Sequence, residues 1–413
     1  MASGDGWLVR VRAGARALTS AQLRALAALA REYGNGIIEL TRRANLQLRG
    51  LQSARIPALR QQLIALGVVD ASPRREARPG WLVDPIVALQ DTARLSELQR
   101  ALDQVLAESA SLYNLSAKLG VVLDAGSGML SSVDADVRVV AIGSSARVQI
   151  QVGTHAGNTL LGECEHAQAP EVVRTLLGVL GTSPPAGDLP GLRMRDLVAT
   201  RGLDSLRREV ESWVIKAPPV AHPLQPMEAL GLQVAGGRAW FGIGVPFGSA
   251  CEAQWHAIAG LAERHGAAEV RLTPAREVLI LGARPEAAEL LAAEALQHGF
   301  ITEPRDPRRQ VVACSGAPAC GAAHGETRSL AGTLGAELKP LLAAGATLHV
   351  SGCEKGCASQ AAADLCIVLA PGGARLARNT DIAGTCRAPV EPVATIAQRV
   401  RGLMQASEGT HDT

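Results

Sequence analysis

Four of the eight cysteines in this 413-residue chain crowd between positions 314 and 357. Cys314 and Cys320 are separated by five residues, and Cys353 and Cys357 by three. Thiolates are soft ligands, and a set of four suits zinc or an iron-sulfur cluster. Structural zinc favours knuckles with roughly two to four residues between sulfurs, and the five-residue gap lies outside that habit. Gly321, Gly352 and Gly356 flank the cysteines, where bare backbone N–H groups can approach sulfur and offset the negative charge of a cluster. The spacing therefore favours a [4Fe-4S] cluster over zinc, with buried unligated thiols as the remaining reading. Cys164, Cys251, Cys366 and Cys386 have no partner at ligand spacing and read as small buried hydrophobes.

A second set of reactive side chains lies near the amino terminus. The segment from Asn45 to Leu51 alternates as a strand, which puts Arg43, Asn45, Gln47 and Arg49 on one face and Leu46 and Leu48 on the other. Two guanidiniums and two amides on one face make a receptor for carboxylates, which Arg binds bidentately; the plainer alternative is a solvated edge strand. The elements that would position this face are short. Trp7 to Val11 reads as a strand, and Thr19 with Gln22 forms a capping box. A helix with Leu23, Leu26, Ala27, Ala30 and Tyr33 at helical spacing ends at Gly34, and Ile37 to Leu40 is a further strand.

The same phrase returns later. LTRRANLQLRG at 40–50 aligns with LTPAREVLILG at 272–282, and Gln22 with Gln254, Leu29 with Leu261 and Gly34 with Gly266, all offset by 232. One such unit cannot cover both faces of its sheet, so the two copies are expected to pack side by side about a pseudo-twofold axis. The second copy keeps the core but carries Ala275, Glu277, Leu279 and Leu281 at the polar positions. A single site at the interface between the copies follows.

Composition narrows the partners. The chain is 47% hydrophobic, with 41 basic and 39 acidic residues, a net charge of +2 and only 2% aromatics. That balance supplies neither a general nucleic-acid surface nor stacking platforms for single strands. No apolar run approaches the roughly 18 residues of a membrane span, and the start lacks a secretory apolar region, so a cytoplasmic protein with no membrane partner is expected. Between the copies, Lys118 to Leu123, Val137 to Ile142 and Val148 to Val152 read as strands, followed by a proline-bearing connector at 217–226. After the second copy, Leu348 to Ser351 and Cys366 to Ala370 read as strands, and the end beyond Leu403 as a frayed polar tail.

CSGAPAC followed by HVSGCEKGC, with TRRANLQLRG and the duplicated half-domain, resembles the nitrite and sulfite reductase superfamily of siroheme and [4Fe-4S] proteins over about residues 5–400. Within it, the sequence most resembles the precorrin-3B synthase branch. The resemblance implies an α+β fold with duplicated ferredoxin-like half-domains about a pseudo-twofold axis and two α/β domains of the nitrite/sulfite reductase type. The expected division is a half-domain at 1–74, an α/β domain at 75–216, a linker at 217–234, the second half-domain at 235–307, a cluster-binding α/β domain at 308–403 and a tail at 404–413.

By the same resemblance, Cys314, Cys320, Cys353 and Cys357 hold the cluster, and Arg43, Asn45, Gln47, Arg49 and Lys118 bind substrate. The reductases gather two arginines and two lysines over the siroheme iron. Here Lys118 keeps the first lysine, but Gly120 stands at the second and Pro79 at the remaining arginine, with Arg78 a shifted candidate. That dilution, and the chain's shortness, favour the synthase branch over six-electron reduction of sulfite or nitrite. The implied reaction hydroxylates precorrin-3A, a carboxylated tetrapyrrole, at C20 with one oxygen atom of O2 and closes a gamma-lactone from the ring A acetate onto C1. An external electron donor, a monomeric state and a mononuclear non-haem iron are implied as well. His324 and His349 are first guesses for that iron, but core or surface roles suit them better, and no ligands are assigned to it. The competing readings are a siroheme-dependent reductase and a non-catalytic [4Fe-4S] carrier or tetrapyrrole-binding protein.

Overall fold

The computed structural model describes residues 1–76, 78–87, 92–113, 115–116, 118–143, 145–183, 192–219 and 227–408. The first unit runs β1 (Ala2–Ser3), β2 (Gly6–Val11), β3 (Leu18–Thr19), α1 (Ser20–Tyr33), β4 (Ile37–Leu40), β5 (Leu46–Leu51) and α2 (Ile56–Ala65). Thr19 caps α1 as expected: its hydroxyl accepts from the Gln22 N–H and its own N–H donates to Gln22 Oε1, both at 3.1 Å. Gly34 is the C-cap, and Leu23, Leu26, Ala27 and Ala30 are buried against the sheet.

The middle unit comprises α3 (Pro73–Glu76), β6 (Gly80–Val83), α4 (Thr92–Leu112), β7 (Gly120–Asp124), β8 (Val137–Ala141), β9 (Arg147–Thr154), β10 (Gly157–Glu165), α5 (Ala169–Thr182), α6 (Met194–Arg201) and α7 (Leu203–Glu209). Its sheet has the order β10-β9-β8-β7-β6, with β6, β7 and β8 parallel and the rest antiparallel.

The second copy is β11 (Gly231–Ala235), β12 (Arg238–Gly244), β13 (Ser249–Cys251), α8 (Glu252–His265), β14 (Glu269–Leu272), β15 (Glu277–Leu281) and α9 (Ala288–Gln297). The two copies exchange strands. β3 of the first pairs with β14 of the second, and β13 of the second pairs with β4 of the first, giving the sheet orders β1-β2-β5-β4-β13 and β11-β12-β15-β14-β3. Their inner faces and α1 and α8 share one core, which includes Leu26, Leu46, Leu48, Trp255, Val278 and Ile280. Trp255 Nε1 crosses the seam to the Ile38 carbonyl at 3.3 Å. The offset of 232 also governs the backbone: Gly36 and Ala268, Ala44 and Arg276, Gly50 and Gly282, and Gly67 and Gly299 all have positive φ.

The last unit is β16 (Val311–Ala313), α10 (Thr327–Glu337), α11 (Lys339–Ala343), β17 (Leu348–Ser351), β18 (Ala363–Ala370), β19 (Gly373–Thr380), α12 (Ile382–Thr385) and α13 (Val393–Glu408). Its sheet follows chain order, parallel from β16 to β18 and antiparallel at β19.

Several expectations change. The third strand begins at Leu46, because Thr41 Oγ1 accepts from the N–H groups of Arg43 and Asn45 (3.3 and 3.1 Å) and holds 41–45 as a turn with Ala44 at φ 51°. Cys251 is exposed rather than buried; it caps α8 at the position Thr19 holds in the first copy. Strand β11 begins inside the segment read as linker, of which 220–226 lie outside the described residues. The tail is helical to Glu408, and 409–413 lie outside the described residues.

The outer faces of the two repeats differ as their sequences imply. In the second, Trp240, Leu279 and Leu281 are covered by Ile86, Ala229 and Met129 in an apolar cluster. In the first, Arg10, Gln47 and Glu39 lie side by side across three strands and stay polar.

Candidate active site

Parallel β16 and β17 are neighbours, so the loops at their carboxyl ends meet, and these loops carry the two cysteine pairs. Cys314 directly follows β16, and Cys353 lies two residues beyond β17. The Gly352 N–H donates to Cys314 Sγ at 3.2 Å, the His324 N–H to the Gly352 carbonyl at 2.9 Å, and the Cys320 N–H to the Gly316 carbonyl at 2.7 Å. Glycine is required for this closeness: a Cβ on Gly352 would lie 2.7 Å from that of Ala323, and one on Gly316, at φ +66°, would lie 2.5 Å from Thr327 Oγ1. Burial pushes the Cys357 thiol up, and the nearby Cys353, Cys314 and Cys320 push it further. All four thiols thus share one neighbourhood. No three His, Cys, Asp or Glu side chains among the described residues converge as ligands of one ion. A four-iron cluster is itself several atoms across and needs its thiolates spread around it, so an all-sulfur donor set with backbone N–H support fits a cluster better than a single ion.

A buried charge network docks the first half-domain onto these loops. Arg49 is 4% exposed and donates to Asp5 Oδ1 and Oδ2 and to Glu39 Oε2 (3.0 Å each), to Ser3 Oγ at 2.9 Å and to the Ala319 carbonyl. The expectation that Arg49 receives a ligand is therefore corrected: its donors are taken by the protein, and it clamps the loop ahead of Cys320. Glu39, 5% exposed, also accepts from Arg328 Nη2 at 2.5 Å and from Ser315 Oγ at 2.9 Å. Burial alone would push the Glu39 carboxyl up, but Arg328 and Arg49 together hold it below the usual carboxylate range.

Three cavities lie beside the first half-domain, two of them at this junction. One of ≈ 570 Å³ is lined by Arg42, Gln47, Arg276, Arg328, Cys314 and Cys357. Through Arg42, Phe247, Arg276 and Ala358 it adjoins another of ≈ 950 Å³, which adds Arg308 and Arg309. A third, ≈ 700 Å³, lies against the middle unit and is lined by Arg10, Arg12, Arg43, Asn45, Arg78 and Trp81. The residues read as one strand face are thus divided: Gln47 looks toward the cysteines, while Arg43 and Asn45 line the third cavity beside Arg78. Arg43 Nη2 donates to the Lys118 carbonyl at 3.2 Å, and the Lys118 side chain is exposed.

Sequence reading missed Arg42 and Arg276. Neither forms an ion pair within 4.0 Å among the described residues. Burial lowers the Arg276 guanidinium to about 10, with Arg328 and Arg42 adding to the shift. Arg42 and Arg276 line the same two cavities, which Glu39 and Glu277 line as well, and as the cations without an ion pair there they are the candidate anion receptor beside the cysteines. Alternation concealed them because both sit in turns, at the bend after β4 and at the left-handed residue before β15.

His349, 2% exposed on β17, has no hydrogen-bond partner on either ring nitrogen among the described residues. Burial, then Arg276 and Arg42, lower it from 6.5 to about 4, so it is neutral in the fold. The unfolded chain then binds a proton that the folded chain refuses. Its contribution is complete above about pH 6.5 and is lost as pH falls toward 4, about 3 kcal/mol in all. Urea midpoints measured across that window should fall steeply for the wild type and less for His349→Phe; equal slopes would refute this.

The model for the nitrite/sulfite reductase ferredoxin-like half domain matches residues 1–66 and again 232–298. The chain is 33% identical over 401 residues to a precorrin-3B synthase of Sinorhizobium sp., covering 92% of this chain and 81% of that protein. It is 26% identical over 391 residues to a ferredoxin–nitrite reductase of Synechococcus elongatus, covering 87% and 75% respectively. The structure of the Mycobacterium tuberculosis NirA protein shares the fold, with a TM-score of 0.73 at 21% identity over 89% of this chain and 73% of that one. The chain therefore belongs to the precorrin-3B synthase family, an oxidoreductase branch of the nitrite/sulfite reductase superfamily.

Proposed function

We propose that the protein is an oxygen-dependent synthase that hydroxylates precorrin-3A at C20 and forms the gamma-lactone, working as a cytoplasmic monomer with an external electron donor. The observation that carries this reading is the arginine-lined space opening on Cys314 and Cys357 between the first half-domain and the last sheet. A [4Fe-4S] cluster on Cys314, Cys320, Cys353 and Cys357 would supply one-electron transfer at that wall. Arg42 and Arg276 bind the carboxylates of the tetrapyrrole, and Gln47 adds an amide. Arg43, Asn45 and Arg78, with Lys118 at the margin, form a second carboxylate region in the neighbouring cavity. Gly120 and Pro79 carry no charge where the resemblance puts cations, which favours this reading over reduction of a small oxyanion. No helix among the described residues is long and apolar enough to cross a membrane.

The reading is tested by the absorbance and metal content of anaerobically purified protein. Expected are the broad brownish band of a cluster, iron in excess of four per chain and no siroheme; stoichiometric siroheme would overturn it in favour of the reductase reading. Arg276→Gln should weaken precorrin-3A binding roughly 10- to 100-fold, the range for losing a charge-assisted hydrogen bond. An unchanged dissociation constant would remove Arg276 from the site.

A further inference from the structure

Phe247 stands out on independent grounds. Its backbone lies at φ 55°, ψ 8°, a left-handed conformation that a bulky residue holds only where its surroundings impose it. Gly248 follows at φ +65°, wedged so closely that a Cβ there would lie 2.6 Å from both the Leu40 carbonyl and the Arg276 side chain. The turn is fixed by bonds from the Val245 N–H to the Arg276 carbonyl at 3.0 Å and from the Gly248 N–H to the Val245 carbonyl at 2.8 Å. Glycine at 247 would satisfy this backbone at lower cost, so the turn itself gives no reason for a phenylalanine.

Its place in the fold offers one. Phe247 lines both cavities that carry Arg42 and Arg276, and it lines the adjoining apolar groove of ≈ 1000 Å³ beneath α10. Among the described residues lining these three spaces it is the only aromatic, in a chain with 2% aromatics. In the first copy, 232 positions earlier, stands Ala15, without a positive φ. The arginines can hold an anionic periphery, but guanidiniums gripping an edge leave the orientation of a flat ligand's face undetermined. An aromatic wall held rigidly by its backbone settles that, because stacked rings prefer defined offsets.

We infer that Phe247 is a positioning residue on which a bound tetrapyrrole lays its face, while Arg42 and Arg276 hold its carboxylates. The inference rests on the tetrapyrrole reading above. Phe247 also packs against the core of the last unit, so the test must separate stacking from packing.

The test uses the full-length protein carrying its cluster, and titrates uroporphyrin, a fluorescent polycarboxylate tetrapyrrole, and citrate, a polycarboxylate without a ring. Phe247→Leu keeps the backbone demand and most of the apolar volume and removes only the ring. It should bind uroporphyrin about tenfold more weakly and citrate unchanged, and Phe247→Tyr should restore the wild-type value for uroporphyrin. Unchanged uroporphyrin affinity in Phe247→Leu, or equal weakening for both ligands, would overturn the inference by reducing Phe247 to a packing residue. A wild-type protein that binds citrate but not uroporphyrin would instead overturn the tetrapyrrole reading, and the inference with it.

Discussion

Serine at Cys314, Cys320, Cys353 or Cys357 is expected to strip the protein of its brownish chromophore and most of its iron, whereas serine at Cys164 or Cys366 leaves both in place. The reason lies in the loops. Gly352 donates to Cys314 Sγ, His324 donates to Gly352, and Cys320 to Gly316, so the two pairs are held as one constellation and each thiolate depends on the others for the cluster. Hydroxyl oxygen is a hard ligand and a poor substitute for thiolate on iron. Cys164 and Cys366 are buried, with thiols pushed up first by burial, Cys164 to about 12, which suits inert packing. Iron analysis and visible absorbance of the anaerobically purified variants check this. Retention of full iron in the Cys357→Ser protein would contradict the assignment.

Glu39→Gln is the second large effect, and it acts on stability. Glu39 accepts from Arg49, Arg328 and Ser315 while 5% exposed, joining the first sheet to the segment next to Cys314 and to α10. Neutralising it leaves Arg328 without a carboxylate partner, and Arg49 with Asp5 alone, among the described residues. Breaking a buried pair from one side costs about 3–5 kcal/mol, because the remaining charge stays desolvated. Urea denaturation should register that loss, and the same variant should lose iron faster under chelator as the docked loop loosens. A change under about 1 kcal/mol would show that the network is dispensable. The pH dependence has a definite sign. Because the Glu39 carboxyl is held below its ordinary range, its stabilisation is present above the unfolded carboxylate value and disappears as pH falls through the lower folded one. Glu39→Gln should therefore be less acid-sensitive than the wild type.

Much of the half-domain was legible because periodicity and capping are local. The Thr19–Gln22 box, the Gly34 stop and strand Ile37–Leu40 all stand where residue types put them, and the repeat at offset 232 reappears in backbone angles. The polar face was read less well. Alternation points back through Arg43, but Thr41 folds that stretch into a turn, so Arg43 and Asn45 line a different cavity from Gln47. Arg49 was misread because a strand pattern cannot show that Asp5 and Glu39, at distant positions, already enclose it. Arg42 and Arg276 escaped notice for the converse reason: their approach depends on the exchange of β3 and β13 between the copies, which no local spacing encodes.

The most direct test of the whole account is a single-turnover reaction of the electron-supplied, cluster-bearing protein with precorrin-3A under ¹⁸O₂, read by mass spectrometry. The account predicts a lactone product carrying one ¹⁸O atom at C20. A product whose new oxygen comes from water, or unchanged precorrin-3A from protein that instead reduces sulfite or nitrite, would contradict it.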